Sequence, residues 1–256
     1  MWIDAGGEGS PVLLVMGLGM AGSMWAPVVP ALREAHRVAT FDHRGLGARV
    51  DEPPARTMTE LADDVLGVLD ALGWERAHLV GVSMGGMAVQ ELAVRRPDRV
   101  RSLALLATTA CGRRVLPPTG AALLAVLGSR RREDRLRRLL YPAAWRRAHR
   151  EELDRRMAAM VASMAPRSTV RAHFRAVLGH DARQRLRTVR VPTLVIEPAL
   201  DAMIRPRSSE DLARRLPHAR LEVLADVGHG LVHQASDRVA SLLLEHLART
   251  DAGGRA

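Results

Sequence analysis

The sequence contains no lysine and no asparagine, so all 38 of its basic side chains (histidine aside) are arginines. It has one cysteine, Cys111, which excludes an internal disulfide and suits a reducing compartment. Aromatic residues make up only 3% of the chain, so Leu, Val, Ala and Met must fill most of any core. The same scarcity leaves little to stack against bases, which argues against a nucleic-acid partner. No run approaches the ~18 uninterrupted apolar residues of a spanning helix. The stretch Trp2-Ile3-Asp4-Ala5-Gly6 turns at once and does not read as a signal peptide. A cytoplasmic protein without membrane contact is expected.

What is present points to one large α/β unit carrying an insertion: 256 residues, 47% of them hydrophobic. The formal net charge is +10 but is unevenly placed. Residues 111–188 hold 19 arginines against 6 acids, whereas the rest of the chain holds 19 against 22. A coding bias toward arginine acts on both parts alike and does not produce that asymmetry. A basic segment of this kind suits an anionic substrate, or the acidic face of a carrier protein delivering a thioester; a solvated arginine face is the alternative.

Apolar runs alternate with amphipathic ones through the first 110 residues. Pro11–Met16, Arg37–Asp42, Ala77–Val82 and Val100–Ala107 read as strands. Helices are expected over Ala26–Glu34 and Met84–Arg95, and from Thr59 to Leu72, where Asp63 and Asp64 suit the early-turn dipole. This rhythm predicts a mostly parallel sheet with helices on both faces. From Gly112 to about Thr188 only helical stretches are found: Leu116–Leu127, Glu133–Leu140, Glu151–Met164 and Thr169–Leu178. The sheet rhythm then resumes with strand Val191–Ile196, helix Ser208–Leu216, strand Arg220–Leu224 and a final helix to about Leu247, with Asp251–Ala256 expected to be disordered. A core of residues 1–110 and 189–256, interrupted by a helical insertion at 111–188, is the expected organisation.

Gly81-Val82-Ser83-Met84-Gly85-Gly86 lies between an apolar strand and a helical pattern, which gives a bare G-x-S-x-G its weight. A serine there sits in a strained strand-to-helix turn with its hydroxyl clear of the sheet. Glycines at 81 and 85 let strand and helix nearly touch. The Met84 N–H at the helix start suits a developing oxyanion. Because a serine hydroxyl is a poor nucleophile, it needs a histidine base held by a carboxylate. Asp201 and His229 each follow a strand, so all three candidates fall at the carboxyl ends of parallel strands. Asp226 is a weaker acid candidate. A solvated or capping role is expected for His43, His233 and His246. The glycine-lined Met16-Gly17-Leu18-Gly19 turn should supply a second oxyanion donor, the Leu18 N–H.

With these residues the chain resembles the α/β-hydrolase superfamily over nearly its whole length. Asp42-His43-Arg44-Gly45-Leu46-Gly47 looks like that family's D-x-R-G-x-G loop, and Ala107-Thr108-Thr109 and Val191-Pro192-Thr193-Leu194-Val195-Ile196 are similarly familiar. In particular it resembles the branch of small carboxylesterases, enol-lactonases and cofactor-free haloperoxidase-like enzymes. The resemblance implies that segment 111–188 is a lid over the active site. Met16-Gly17 stands where the family usually has His-Gly, and Pro198 enters the acid loop where a glycine is usual. The short N-terminus leaves a sheet edge open or covered by a second subunit of a homodimer.

The expected chemistry is attack by Ser83 on the carbonyl of a small-molecule ester, lactone or thioester, and release of the acyl-enzyme by water, with no metal or organic cofactor required. Apolar lid residues such as Leu123, Leu127, Met157, Met160 and Met164 suit a core, or a greasy acyl group. Two other readings stay open: a non-hydrolytic, cofactor-free enzyme on the same scaffold (lyase, cyclase or perhydrolase), and a binding protein with a vestigial triad.

Overall fold

In the computed structural model, which describes residues 3–114 and 132–253, the six predicted strands join one sheet together with an N-terminal strand that was not expected. β1 (Ile3–Gly6), β2 (Ser10–Val15), β3 (His36–Phe41), β4 (Ala77–Val82), β5 (Val100–Leu106), β6 (Thr193–Pro198) and β7 (Ala219–Leu224) take the order β1-β3-β2-β4-β5-β6-β7. Only β1 is antiparallel, pairing with β3 at the edge. The short N-terminal segment thus supplies one strand of that edge.

The apolar runs are continuous because both faces of the sheet are buried, and alternate residues serve opposite sides. Leu13, Leu79, Leu105 and Val195 pack with helices α2 (Met58–Ala71), α3 (Met84–Arg95) and α8 (Pro206–Arg215). Leu14, Val80, Leu106 and Ile196 pack with α1 (Val29–Arg33), α9 (Leu231–Gln234) and α10 (Ser236–Gly253).

Several boundaries differ from expectation for local reasons. α1 starts at Val29 because Pro30 tolerates only a helix's first turn. α2 starts at Met58: Thr57 Oγ1 accepts the Glu60 N–H at 3.2 Å, and Glu60 reaches back to the Thr57 N–H at 2.9 Å. Asp64 is not a solvated dipole acid. Its buried carboxylate holds Arg44 at 2.6 Å and Arg49 at 3.4 Å, bracing the loop after β3. The same loop is closed by Asp42, which accepts the N–H groups of Gly22 and Ala48 at 2.8 and 3.1 Å.

The expected disorder from Asp251 onward is corrected as far as Gly253. Asp251 accepts the Ser10 hydroxyl at 2.6 Å and lies 3.1 Å from His78 Nε2, so α10 runs on to Gly253. His78 Nδ1 in turn meets Ser102 Oγ at 2.8 Å. This polar cluster joins β2, β4 and β5 to the last helix.

The inserted segment contains α4 (Arg132–Leu140), α5 (Ala143–Ala148), α6 (Arg150–Ala162) and α7 (Arg167–Gly179). The short α5 is an addition to the expected helices. The expected helix Leu116–Leu127, with Leu123 and Leu127, lies outside the described residues. Leu136, Tyr141, Leu153, Met157, Met160 and Val170 form a core of their own that includes Leu46 and Ala21 of the sheet unit. Among the described residues, backbone bonds tie the segment to the sheet unit by Gly230 N–H to the Leu140 carbonyl at 2.8 Å, Ala182 N–H to the Ala110 carbonyl at 2.9 Å and Ala165 N–H to the Gly19 carbonyl at 3.0 Å. Among the described residues no helix is long and apolar enough to cross a membrane.

Candidate active site

Ser83 follows β4 directly and adopts φ 55° and ψ −119°, a conformation rarely taken by a residue with a side chain. The turn survives because its neighbours leave no alternative. A Cβ on Gly81 would come within 2.5 Å of the Gly85 carbonyl oxygen, and one on Gly85 within 2.1 Å of the Val15 carbonyl oxygen. The Ser83 N–H donates to the Leu106 carbonyl at 2.9 Å, and its carbonyl accepts the Thr108 hydroxyl at 2.7 Å. Thr108 is thus a positioning residue whose role depends on β5 lying beside β4.

Asp201 uses both carboxylate oxygens. Oδ1 accepts the backbone N–H groups of Met203 and Ile204 at 2.6 and 2.8 Å, which closes its loop. Oδ2 lies 2.7 Å from His229 Nδ1. A carboxylate only accepts, so Nδ1 carries a hydrogen, and in the neutral ring the lone pair is on Nε2. Pro198 does not disturb this arrangement. It ends β6, and the chain beyond it is zipped to the β7 loop by Ala199 N–H to Leu224 O at 3.0 Å and Leu200 N–H to Val227 O at 2.9 Å. Asp226, the weaker acid candidate, points to solvent and pairs with Arg238 at 2.7 Å.

The His229 loop has a second support that sequence reasoning missed. Gln234 on α9 accepts the Gly228 N–H at 2.9 Å and donates to the Asp226 carbonyl at 3.0 Å. A lone glutamine five residues past a histidine carries no recognisable signal.

Ser83, Met84, His229, Gly17 and Leu18 all line one cavity of about 120 Å³. The Asp201–His229 pair is bonded directly, and Ser83 joins it as part of the same wall. The loop after β2 passes against the elbow closely enough that a Cβ on Gly17 would lie 3.3 Å from Ser83 Cβ. Leu18 follows on the same wall, and Met84 opens α3, where the first N–H groups have no helical acceptor. Such an arrangement can activate a hydroxyl by Nε2 and hold negative charge on backbone donors.

The rest of the wall is apolar and rich in sulfur. Met16, Met20, Met24, Met84, Met87, Met160 and Met203 line it, with Leu136, Leu140, Val170, Phe174 and Val177 from the inserted helices among their neighbours. Among the described residues, Tyr141 and His233 are the other polar side chains on it.

The three histidines expected to be solvated or capping are instead packed in. His43 and His246 are buried, and burial pushes the pKa of each down to about 4. His233 is half-buried on the cavity wall, and burial, reinforced by Arg156, lowers its pKa to about 4. Arg156 Nη1 lies 2.8 Å from its Nδ1. A guanidinium only donates, so Nδ1 accepts and the proton of this neutral ring sits on Nε2.

The sequence matches the α/β-hydrolase fold family over residues 10–236. It is 37% identical over 224 residues to the carbamate-hydrolase candidate RutD of Caulobacter vibrioides, covering 86% of this chain and 83% of that one. The corresponding protein of Azorhizobium caulinodans is 32% identical over 254 residues, covering 98% and 96%. Among solved structures, the enol-lactonase of Burkholderia xenovorans superposes with a TM-score of 0.85 at 28% identity, covering 96% of each chain. A thermophilic esterase of Thermogutta terrifontis gives 0.84 at 28%, covering 97% of this chain and 93% of that one. The chain therefore belongs to the α/β-hydrolase family and is a hydrolytic enzyme.

Proposed function

We propose that the protein is a serine hydrolase acting on a carboxylic ester, lactone or thioester through an acyl-enzyme. His229 Nε2 takes the proton of Ser83 as the hydroxyl attacks the carbonyl carbon, and the N–H groups of Leu18 and Met84 receive the oxyanion. The protonated His229, steadied by Asp201, returns its proton to the leaving group. Water then attacks the acyl-enzyme by the same route and frees Ser83. Every proton is accounted for by these residues, and the scheme calls on no metal or organic cofactor. The carrying observation is Ser83's left-handed backbone at the mouth of α3, in one cavity with an imidazole whose Nδ1 is held 2.7 Å from Asp201.

In this reading segment 111–188 is a cap, and the apolar side chains it lends the cavity favour an apolar acyl group. A carbamate presents the same type of carbonyl, and the RutD relatives' name makes it the second substrate class to screen. Arg146, Arg147 and Arg150 line a groove between α4, α5 and α6 on the cap, beside Asp134 and an Arg137 already paired with Glu133 and Asp154, and their excess of positive charge supports an anionic or carrier-borne substrate.

Labelling with a fluorophosphonate probe tests the proposal. The wild type should label, and Ser83→Ala and His229→Ala should not. A folded wild type that never labels would overturn the serine acyl-enzyme reading.

A further inference from the structure

Tyr141 is the only tyrosine in the sequence and lies on the wall of the Ser83 cavity. It stands between α4 and α5, with its backbone held on both sides. Its N–H donates to the Arg137 carbonyl at 3.0 Å, and its carbonyl accepts Arg146 Nε at 3.1 Å. Its ring stacks on Trp145 with centroids 4.8 Å apart and planes 22° from parallel. On another side it meets the His229 loop so closely that a Cβ on Gly230 would fall 2.5 Å from Cε1 and 2.9 Å from Cζ. The ring is therefore rigid and fixed beside the residue that follows His229.

The hydroxyl itself is buried and has no hydrogen-bond partner among the described residues. An unpaired buried hydroxyl opposes folding, since it gives up water and gains nothing. Phenylalanine would keep the Trp145 stack and the contact at Gly230 without that penalty. The ring explains the packing, and a substrate oxygen on the cavity side would give the hydroxyl its partner.

Resting on the serine-hydrolase reading, we propose that Tyr141 is a specificity-determining residue whose hydroxyl donates to a second oxygen of the substrate. The substrate class is then an acyl compound with an apolar body and one further hydrogen-bond acceptor, such as an oxo group. Methionine-rich walls suit the rest of such a molecule: thioether side chains have soft torsions and turn aside to let it reach the phenol. Apart from the reacting residues and the His233 ring, the described wall is apolar, so a donor placed there counts heavily: an acceptor oxygen left unpaired would lose its hydration for no return.

The test compares wild type with Tyr141→Phe on p-nitrophenyl hexanoate and its 4-oxo and 5-oxo analogues. The expected result is that the variant loses about tenfold more kcat/KM on the better oxo ester than on hexanoate, with a melting temperature equal to or above wild type. Equal losses on all three esters, or no loss on any, would overturn the assignment. A second arm needs no turnover. In a Ser83→Ala background, calorimetry with 2-nonanone should show affinity reduced about tenfold by Tyr141→Phe, and unchanged affinity would overturn it. If wild type hydrolyses none of these esters, the serine-hydrolase reading fails there, and the calorimetric arm decides Tyr141 alone.

Discussion

Asp201 grips the backbone of its own loop with one oxygen and His229 with the other, at 2.6 to 2.8 Å throughout. Loop shape and imidazole tautomer therefore depend on a single carboxylate. Replacing it by the isosteric amide separates the two. In Asp201→Asn the amide oxygen can still accept the Met203 and Ile204 N–H groups, so the fold should persist. The amide NH2 then faces His229 Nδ1 and donates to it, which moves the imidazole proton to Nε2 and removes the base. The expected loss in kcat is about three to four orders of magnitude, with the melting temperature within a few degrees of wild type. Near-normal kcat would show that the pair does not orient the base.

Gln234 should behave differently, since it holds the loop rather than the ring. Gln234→Ala frees the Gly228 N–H and lets His229 drift. We expect kcat to fall roughly tenfold, as small misplacements at a reacting centre do, with KM little changed. A change in KM alone would mean that Gln234 shapes the cavity instead.

The elbow tolerates no added atom at residue 85. Gly85→Ala drives a methyl against the Val15 carbonyl, which is backbone in the middle of the sheet. Overpacking of a core costs about 1–3 kcal/mol where side chains can yield, and here none can. Thermal unfolding should show a loss at or beyond that range. A variant as stable as wild type would mean that β2 and α3 are not in contact.

Acid should unfold this protein early. Burial lowers the pKa of His43, His78, His180, His233 and His246 to about 4 each and that of His173 to about 3. These rings are neutral in the fold, whereas the unfolded chain binds protons on them near the ordinary value. The unfolded state thus binds more protons between those values, so stability is complete above about pH 6.5 and falls as pH drops toward about 4. A tenfold weakening of proton binding by one ring is worth about 1.4 kcal/mol, so a few such histidines together match the whole stability of a typical domain. Asp251, whose pKa is lowered by the Ser10 hydroxyl and His78 against the opposing effect of burial, contributes stability that is lost lower still, as pH falls through its own pKa. Tryptophan fluorescence followed against pH should give an unfolding midpoint near 5. A native signal down to pH 4 would contradict the buried-histidine account.

Much of this was legible in the sequence because it is local. Ala77–Val82, Ser83 and Met84–Arg95 follow one another along the chain, so strand, turn and helix each leave their own pattern. The capping box at Thr57 and Glu60 has its partners only three residues apart, yet Asp63 and Asp64 draw the expected helix start to Thr59 instead. What escaped depends on residues that meet only after folding. Nothing near Gln234 announces the Gly228 N–H, nor does anything near Asp251 announce Ser10, 241 positions away. The buried histidines escaped for the same reason. A histidine in a polar-looking loop, such as His43, is solvated or sealed according to what packs across it, here Phe41 at 4.9 Å and His173 at 6.0 Å between ring centroids.

Seven methionines around one reacting centre also set a chemical vulnerability. Oxidation turns each thioether into a polar, chiral sulfoxide, and the wall that receives an apolar acyl group would become a wall that repels it. Peroxide should cut turnover of such substrates first through the partly exposed Met20, Met24 and Met203, since Met16, Met84 and Met87 are buried in the sheet's own cores. Methionine sulfoxide reductases reverse that lesion, so this enzyme's activity would follow the oxidative state of its surroundings through the lining of its cavity rather than through its lone thiol.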